Sequence, residues 1–207
     1  MEDPMTAPIP PQQPAKKKGM STGLLVGLIL GGLFLLIVPV LAIIAAIAIP
    51  NLLRSRMAAN ESAAIGACKT FAAAEDTYRR VDYDGNKVPE YATSLKELAA
   101  RGLVSSRTAG AEATAPSPTP QAGYYFKVLT AQGSGAPGWA KSYLNQNGNM
   151  VSGYALLAYP AMYDSSGRNC FLISASGTIY EKDLGANTDQ IAQSMTEYDP
   201  TGWIAAE

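Results

Sequence analysis

No histidine occurs in the 207 residues of this chain. That absence removes imidazole metal sites, Ser-His-Asp triads and Cys-His dyads together. Only two cysteines are present, which excludes a four-thiolate zinc site within one chain and a disulfide-dense scaffold. An excess of charge of either sign is also missing, with 16 Lys and Arg against 17 Asp and Glu. So even a balance gives no bulk attraction to nucleic acid, and none is expected as a partner. Without an imidazole base the sequence predicts no enzyme and no cofactor.

Ionisable groups are missing altogether from Leu24 to Ile49, a run of 26 residues. As a helix it measures about 39 Å, enough to cross the roughly 30 Å hydrocarbon layer with tilt. The core helix of a small domain is apolar along one stripe, whereas this segment is apolar on every side. It also exceeds a signal-peptide core, and Pro50-Asn51-Leu52-Leu53-Arg54 offers no small-residue cleavage site. Ahead of it, residues 1–19 form a Pro/Gln-rich tail ending in Lys16, Lys17 and Lys18, with too little apolar surface to fold. The three lysines place that tail in the cytoplasm and send the remainder outside, while Arg54 and Arg56 on the far flank weaken the asymmetry. The expected organisation is a cytoplasmic tail (1–19), a transmembrane helix (20–50) and an exported head (51–207).

The helical pattern does not stop at Pro50. Residues 51–82 are dense in Ala, Leu, Arg and Glu, and Ala64, Cys68, Phe71, Glu75 and Tyr78 recur at steps of four and three. This spacing makes one moderately apolar stripe, so one helix is expected to run from the membrane into the head. Thr93/Ser94 followed by Glu97 forms a capping box and Gly102 stands at a C-cap, predicting a short helix over 95–101 within the connection 83–122. The Pro-rich segment 105–122 reads as a mobile loop. Within the sheet region 123–207, strands are expected over 124–130, 154–159 and 170–175, the middle one lengthened by Met150–Gly153. Ser176-Gly177 then turns the third into 178–181. The fold class is α+β: a long N-terminal helix, half transmembrane and half amphipathic, packed on a small antiparallel sheet.

The stretch AIIAAIAIPNLLRSRMAANESAAI (42–65), most closely at Ala46–Arg56, resembles the membrane helix of type IV pilins and type II secretion pseudopilins. The resemblance implies a pilin-like head on a bacterial cytoplasmic (inner) membrane, with other pilin-like subunits or envelope proteins as partners beside the lipid bilayer. From about Gly123 the chain also looks like a bacterial domain family of unknown function. Precursors of the pilin type are cut after a Gly and carry a Glu five residues into the mature helix. Lys16-Lys17-Lys18-Gly19-Met20 offers a processing site between Gly19 and Met20. Leu24 stands where that cut would put the Glu, and Leu33 where counting back from Pro50 would. A carboxylate in lipid needs a partner, and its absence removes a reason to polymerise. An uncleaved single-pass anchor displaying a head with a structural or interaction role is the expectation. The alternatives are a processed pilin or pseudopilin subunit and a ligand- or calcium-binding envelope domain for which the helix is only a tether.

The remaining motifs point to binding rather than chemistry. Gly133–Gly138 matches G-x-G-x-x-G, but no patterned helix follows and no acid lies about twenty residues on, so a hairpin loop is expected. Asp82, Asp84 and Asn86, with Glu90 to complete them, resemble the opening of a calcium loop; Pro89 intrudes and Thr93 holds the twelfth place. A polar turn closing the long helix is the other reading. Cys68 and Cys170 admit either a disulfide or two buried thiols. Asp164 and Asp183 read as solvated surface, and Tyr124, Tyr125, Tyr154, Tyr159 and Tyr163 as core and strand-face residues.

Overall fold

A computed structural model of the chain describes residues 19–206. The expected tail, apart from Gly19, lies outside the described residues, as do the three lysines. The chain divides into two compact units, Met1–Ile49 and Pro50–Glu207. One helix, α1 (Thr22–Tyr78), belongs to both. In the first unit its apolar side chains are open on all sides, Phe34 at 68% and Leu35 at 75% exposure among them. This part is long and apolar enough to cross a membrane. Pro39 and Pro50 each remove one backbone donor, yet the helix continues through both, as membrane helices tolerate.

In the second unit α1 turns amphipathic, burying Ala64, Cys68, Phe71, Ala74, Glu75 and Tyr78. That is the stripe expected from the spacing, with Ala74 added. It covers a five-stranded antiparallel sheet in the order β1 (Tyr124–Leu129), β4 (Ala155–Pro160), β5 (Asn169–Ser174), β6 (Ile179–Asp183), β8 (Ile204–Ala205). A smaller sheet joins β3 (Lys141–Ser142), β2 (Ala131–Gln132) and β7 (Glu197–Tyr198), with β2 and β7 parallel. The fold is α+β.

Strand pleating assigns the faces. Phe126, Ala158 and Phe171 are register neighbours on one face, and Lys127, Leu157 and Leu172 on the other. The first face meets α1: Tyr154, two residues before Leu156, takes the edge of Phe71 with ring centroids 5.6 Å apart. The second meets α4 (Thr188–Ser194), where Lys127 Nζ donates to the Gln193 carbonyl at 2.6 Å and the Ala192 carbonyl at 3.4 Å. All six residues of β4 are buried, the signature of a strand covered on both faces.

Polar side chains of α1 fix its position on the sheet. Asn60 Nδ2 donates to the Ser166 carbonyl at 2.7 Å. Glu61 Oε1 accepts from the Arg168 and Asn169 amides at 2.8 and 3.2 Å, tying α1 to the start of β5.

The expected strands and the hairpin at Gly177 (φ 77°) form with shifts of a residue or so. The short helix α2 (Leu95–Ala100) starts where the capping box put it: Ser94 Oγ accepts from the Glu97 amide and Glu97 Oε2 from the Thr93 amide. Two expectations need correction. Segment 105–122 contains helix α3 (Ser106–Gly110), capped by Ser105 Oγ, and then bonds to β1 through Phe126 N to the Ala111 carbonyl and Ala113 N to the Phe126 carbonyl. Backbone pairing holds it, which its Pro-rich composition did not reveal. Met150–Gly153 does not extend β4; Met150 bridges Tyr91 and Leu144 instead, and Gly153 bends the chain.

Phe71 is wholly buried at the centre of the α1–sheet contact. Phe71→Ala is expected to cost about 3–5 kcal/mol of unfolding free energy. Denaturant titration of the detergent-solubilised chain checks this, and a loss below about 1 kcal/mol would mean that α1 does not pack on the sheet as described.

Candidate functional site

The residues singled out for chemistry gather where α1 ends. Its final turn closes through Arg79 N to the Glu75 carbonyl and the tighter bonds of Arg80 N to Thr77 and Val81 N to Tyr78. Asp82, Asp84 and Asn86 then form one turn, in which Gly85 and Lys87 hold positive φ. Asp82 accepts from the Gly85 and Lys87 amides at 2.8 and 2.9 Å. Asp84 accepts from the Asn86 amide at 3.1 Å and from Asn86 Nδ2 at 2.6 Å, while Asn86 Oδ1 takes the Val88 amide. Glu90 sits close enough to Asp84 for its carboxyl to be held above the usual range, first by partial burial and then by that charge. The oxygens that calcium would need are turned onto the chain's own N–H groups. Among the described residues no cluster of three acids or thiols is arranged to hold a metal. This geometry supports the polar turn.

Beneath the turn lies a set of carboxyls, with Glu75 and Glu112 buried and Glu97 half-buried. Glu75 is fully buried in the α1 stripe; its Oε2 accepts from the Ala92 amide at 2.9 Å and its Oε1 has no partner. Glu97 accepts from the Tyr78 hydroxyl. Glu112 takes the Leu95 and Lys96 amides at 3.2 and 3.4 Å, covering donors at the start of α2. Aromatic rings wall the region: Tyr78 stacks on Tyr83 at 4.8 Å, Arg79 lies over Tyr91 at 5.1 Å and Arg101 over Tyr83 at 4.7 Å. Outside, Asp76, Arg79, Arg80 and Pro89 line a shallow hollow of about 340 Å³. Glu75 and Glu97 tie the 91–97 segment to α1, and Glu112 ties it to the chain after α3.

Glu75 was legible as an acid inside an apolar stripe, yet its full burial was not. Glu112 carries no sequence signal, because its role depends on α2 folding back onto it. Burial pushes the Glu75 carboxyl up to about 8; the Ala92 amide opposes this, and the Glu97 and Asp76 charges add to it.

Cys68 and Cys170 are both buried free thiols, not a disulfide. Cys68 belongs to the α1 stripe. Cys170 shares the pleat of Leu172, which faces α4, and meets Thr188 there. The sheet stands between the two sulfurs. Burial pushes both thiols up to about 12, which suppresses the reactive thiolate. Gly19 and Met20 are exposed just before α1. Gly19-Met20-Ser21-Thr22-Gly23 formally matches the G-x-S-x-G nucleophile pattern, but it opens a helix with no described strand before it and has no His to serve it.

The glycine loop 133–138 closes the β2–β3 hairpin, as expected. Gly135 N donates to Asp199, whose carboxyl is held low by Thr201 and Gly135. Asp164 pairs with Arg168 at 2.8 Å, and Asp183 accepts from the Tyr163 hydroxyl at 3.1 Å. Tyr124, Tyr154 and Tyr159 are core residues.

Two measurements check this account. In the unfolded chain Glu75 ionises near pH 4.3, while in the folded chain it keeps its proton to about pH 8. Stability is therefore expected to fall as pH rises from about 5 to about 8, by a few kcal/mol at most. Glu75→Gln should remove most of that slope; an unchanged slope in denaturant midpoints would contradict the assignment. For the turn, millimolar calcium is expected to leave the melting temperature of the full chain unchanged, and a clear upward shift would restore the calcium reading.

Comparison with curated proteins and with solved structures returns no match. Residues 45–205 match the family described as a protein of unknown function, DUF2950. The match reaches back past Gly123 into α1, taking in its amphipathic half and the end of its apolar run. The chain belongs to the DUF2950 family.

Proposed function

We propose that the chain is a single-pass membrane protein that displays an α+β head outside the cytoplasm, with a structural or interaction role and not a catalytic one. One observation carries the reading: α1 is a single helix, apolar and exposed on all sides up to Ile49, that from Ala64 onward supplies the core stripe of the head. Exposed apolar surface on that scale is stable in lipid and not in water. The N-in orientation rests on the lysines at 16–18, and the bacterial inner membrane on the resemblance at Ala46–Arg56. Other envelope proteins or pilin-like subunits are the expected partners. The amides that take up the Asp82 and Asp84 carboxylates and the lack of any histidine in the sequence support a non-catalytic role.

A processed pilin or pseudopilin subunit is the second reading. It is favoured by the Ala-Ile-Pro step at Ala48–Pro50 and by the helix running unbroken through Pro50. Leu24 and Leu33 at the two candidate Glu positions weigh against it.

Intact-mass analysis of the protein isolated from native membranes separates the two. A mass that retains Gly19 and the residues before it is expected, with the chain resisting alkaline carbonate extraction. A new terminus at Met20 would establish processing and remove the uncleaved anchor.

A further inference from the structure

The first turns of α1 beyond the apolar run carry an unusual surface. Leu52 is 71% exposed and Leu53 40%, and Arg54 and Arg56 are exposed beside them. Two hollows of about 470 and 380 Å³ flank Leu53, one edged by Arg54 and Arg168, the other by Arg56 and Met162. Met162 comes from the turn 161–168, far away in sequence, and is 62% exposed. That turn is firmly built. Ser166 Oγ accepts from the Met162 amide and donates to the Met162 carbonyl, both at 3.0 Å, and Asn60 of α1 holds the Ser166 carbonyl. A thioether is thus presented to solvent beside Leu53 by a turn tied to α1.

The charges have one sign to spare. Asp164 is paired with Arg168, and Glu61 accepts from two backbone amides. Arg54 and Arg56 have no carboxylate within ion-pair range among the described residues. They follow Ile49, the last residue of the apolar run, by five and seven positions, a placement at the level of lipid headgroups.

The geometry points to a docking surface for anionic phospholipid headgroups, formed by Leu52, Leu53, Arg54, Arg56 and Met162. It rests on the reading that α1 crosses a bilayer. Arg54 and Arg56 engage lipid phosphates, and Met162 and the leucines enter the boundary between headgroups and acyl chains. Such contact restrains the head on the membrane surface beyond its tether.

The test uses the full chain in lipid vesicles, with a fluorophore on Met162→Cys; Cys68 and Cys170 are buried and stay unlabelled. A nitroxide lipid reports proximity, in phosphatidylcholine alone or mixed with phosphatidylglycerol. Strong quenching is expected only with phosphatidylglycerol. Arg54→Gln/Arg56→Gln should lower the docked-to-undocked ratio roughly thirtyfold, and added salt should weaken it. A label on Trp139→Cys, exposed on the β2–β3 turn outside this patch, should stay unquenched. Equal quenching in both lipids, equal quenching at both positions, or indifference to the double substitution overturns the proposal. Carbonate extraction separates the two levels. A chain retained in the vesicles with no quenching refutes docking and leaves the anchor standing, whereas a chain released from them refutes both.

Discussion

Strand β4 is buried at every position from Ala155 to Pro160, and the head is arranged to meet that constraint. A strand with no polar face needs cover on both sides, because each exposed face would cost the transfer free energy of its apolar side chains. The amphipathic half of α1 covers one side and α4 the other. Once these layers are in place, the cysteines are assigned to opposite faces and Tyr124, Tyr154 and Tyr159 fall into the core. The β1–β4–β5 register then sets which residues meet each helix.

The helix contributes more than apolar contact. Asn60 and Glu61 satisfy backbone groups around the start of β5, while Glu75 reaches the segment before α2. Polar groups within a largely apolar interface specify register, since sliding α1 along the sheet would strip the Ala92, Arg168 and Asn169 amides and the Ser166 carbonyl of these partners. Glu75 is the exception that carries a cost, with one oxygen unpartnered and its proton retained into the neutral range. Its neighbours Glu97 and Glu112 serve the same short segment, so three acids organise the end of the head where α1 stops.

The part of the head that follows the apolar run in sequence is arranged differently. Arg56 stands beside exposed Leu53 and Met162, and Arg54 and Arg56 have no ion pair among the described residues.

The apolar run, the Ala64–Tyr78 stripe, the capping box at Ser94/Glu97 and three main strands with their hairpin were legible in the sequence. Each is a local pattern whose period or spacing matches the geometry of one element. Elements α3, α4 and the two-residue strands were not legible, because they are too short to carry a period and exist only where neighbours pair with them. The calcium-like turn shows the same limit: composition placed Asp82, Asp84, Asn86 and Glu90 together, but only backbone geometry decided that their oxygens bond inward. Likewise, the sequence by itself determined that an apolar helix precedes an α+β head and that imidazole chemistry is absent. The tertiary structure alone decided that Cys68 and Cys170 lie on opposite faces of a sheet, that Glu75 keeps its proton, and that Met162 sits beside Arg56. Those facts depend on which residues distant in sequence become neighbours, and local periodicity holds no record of that.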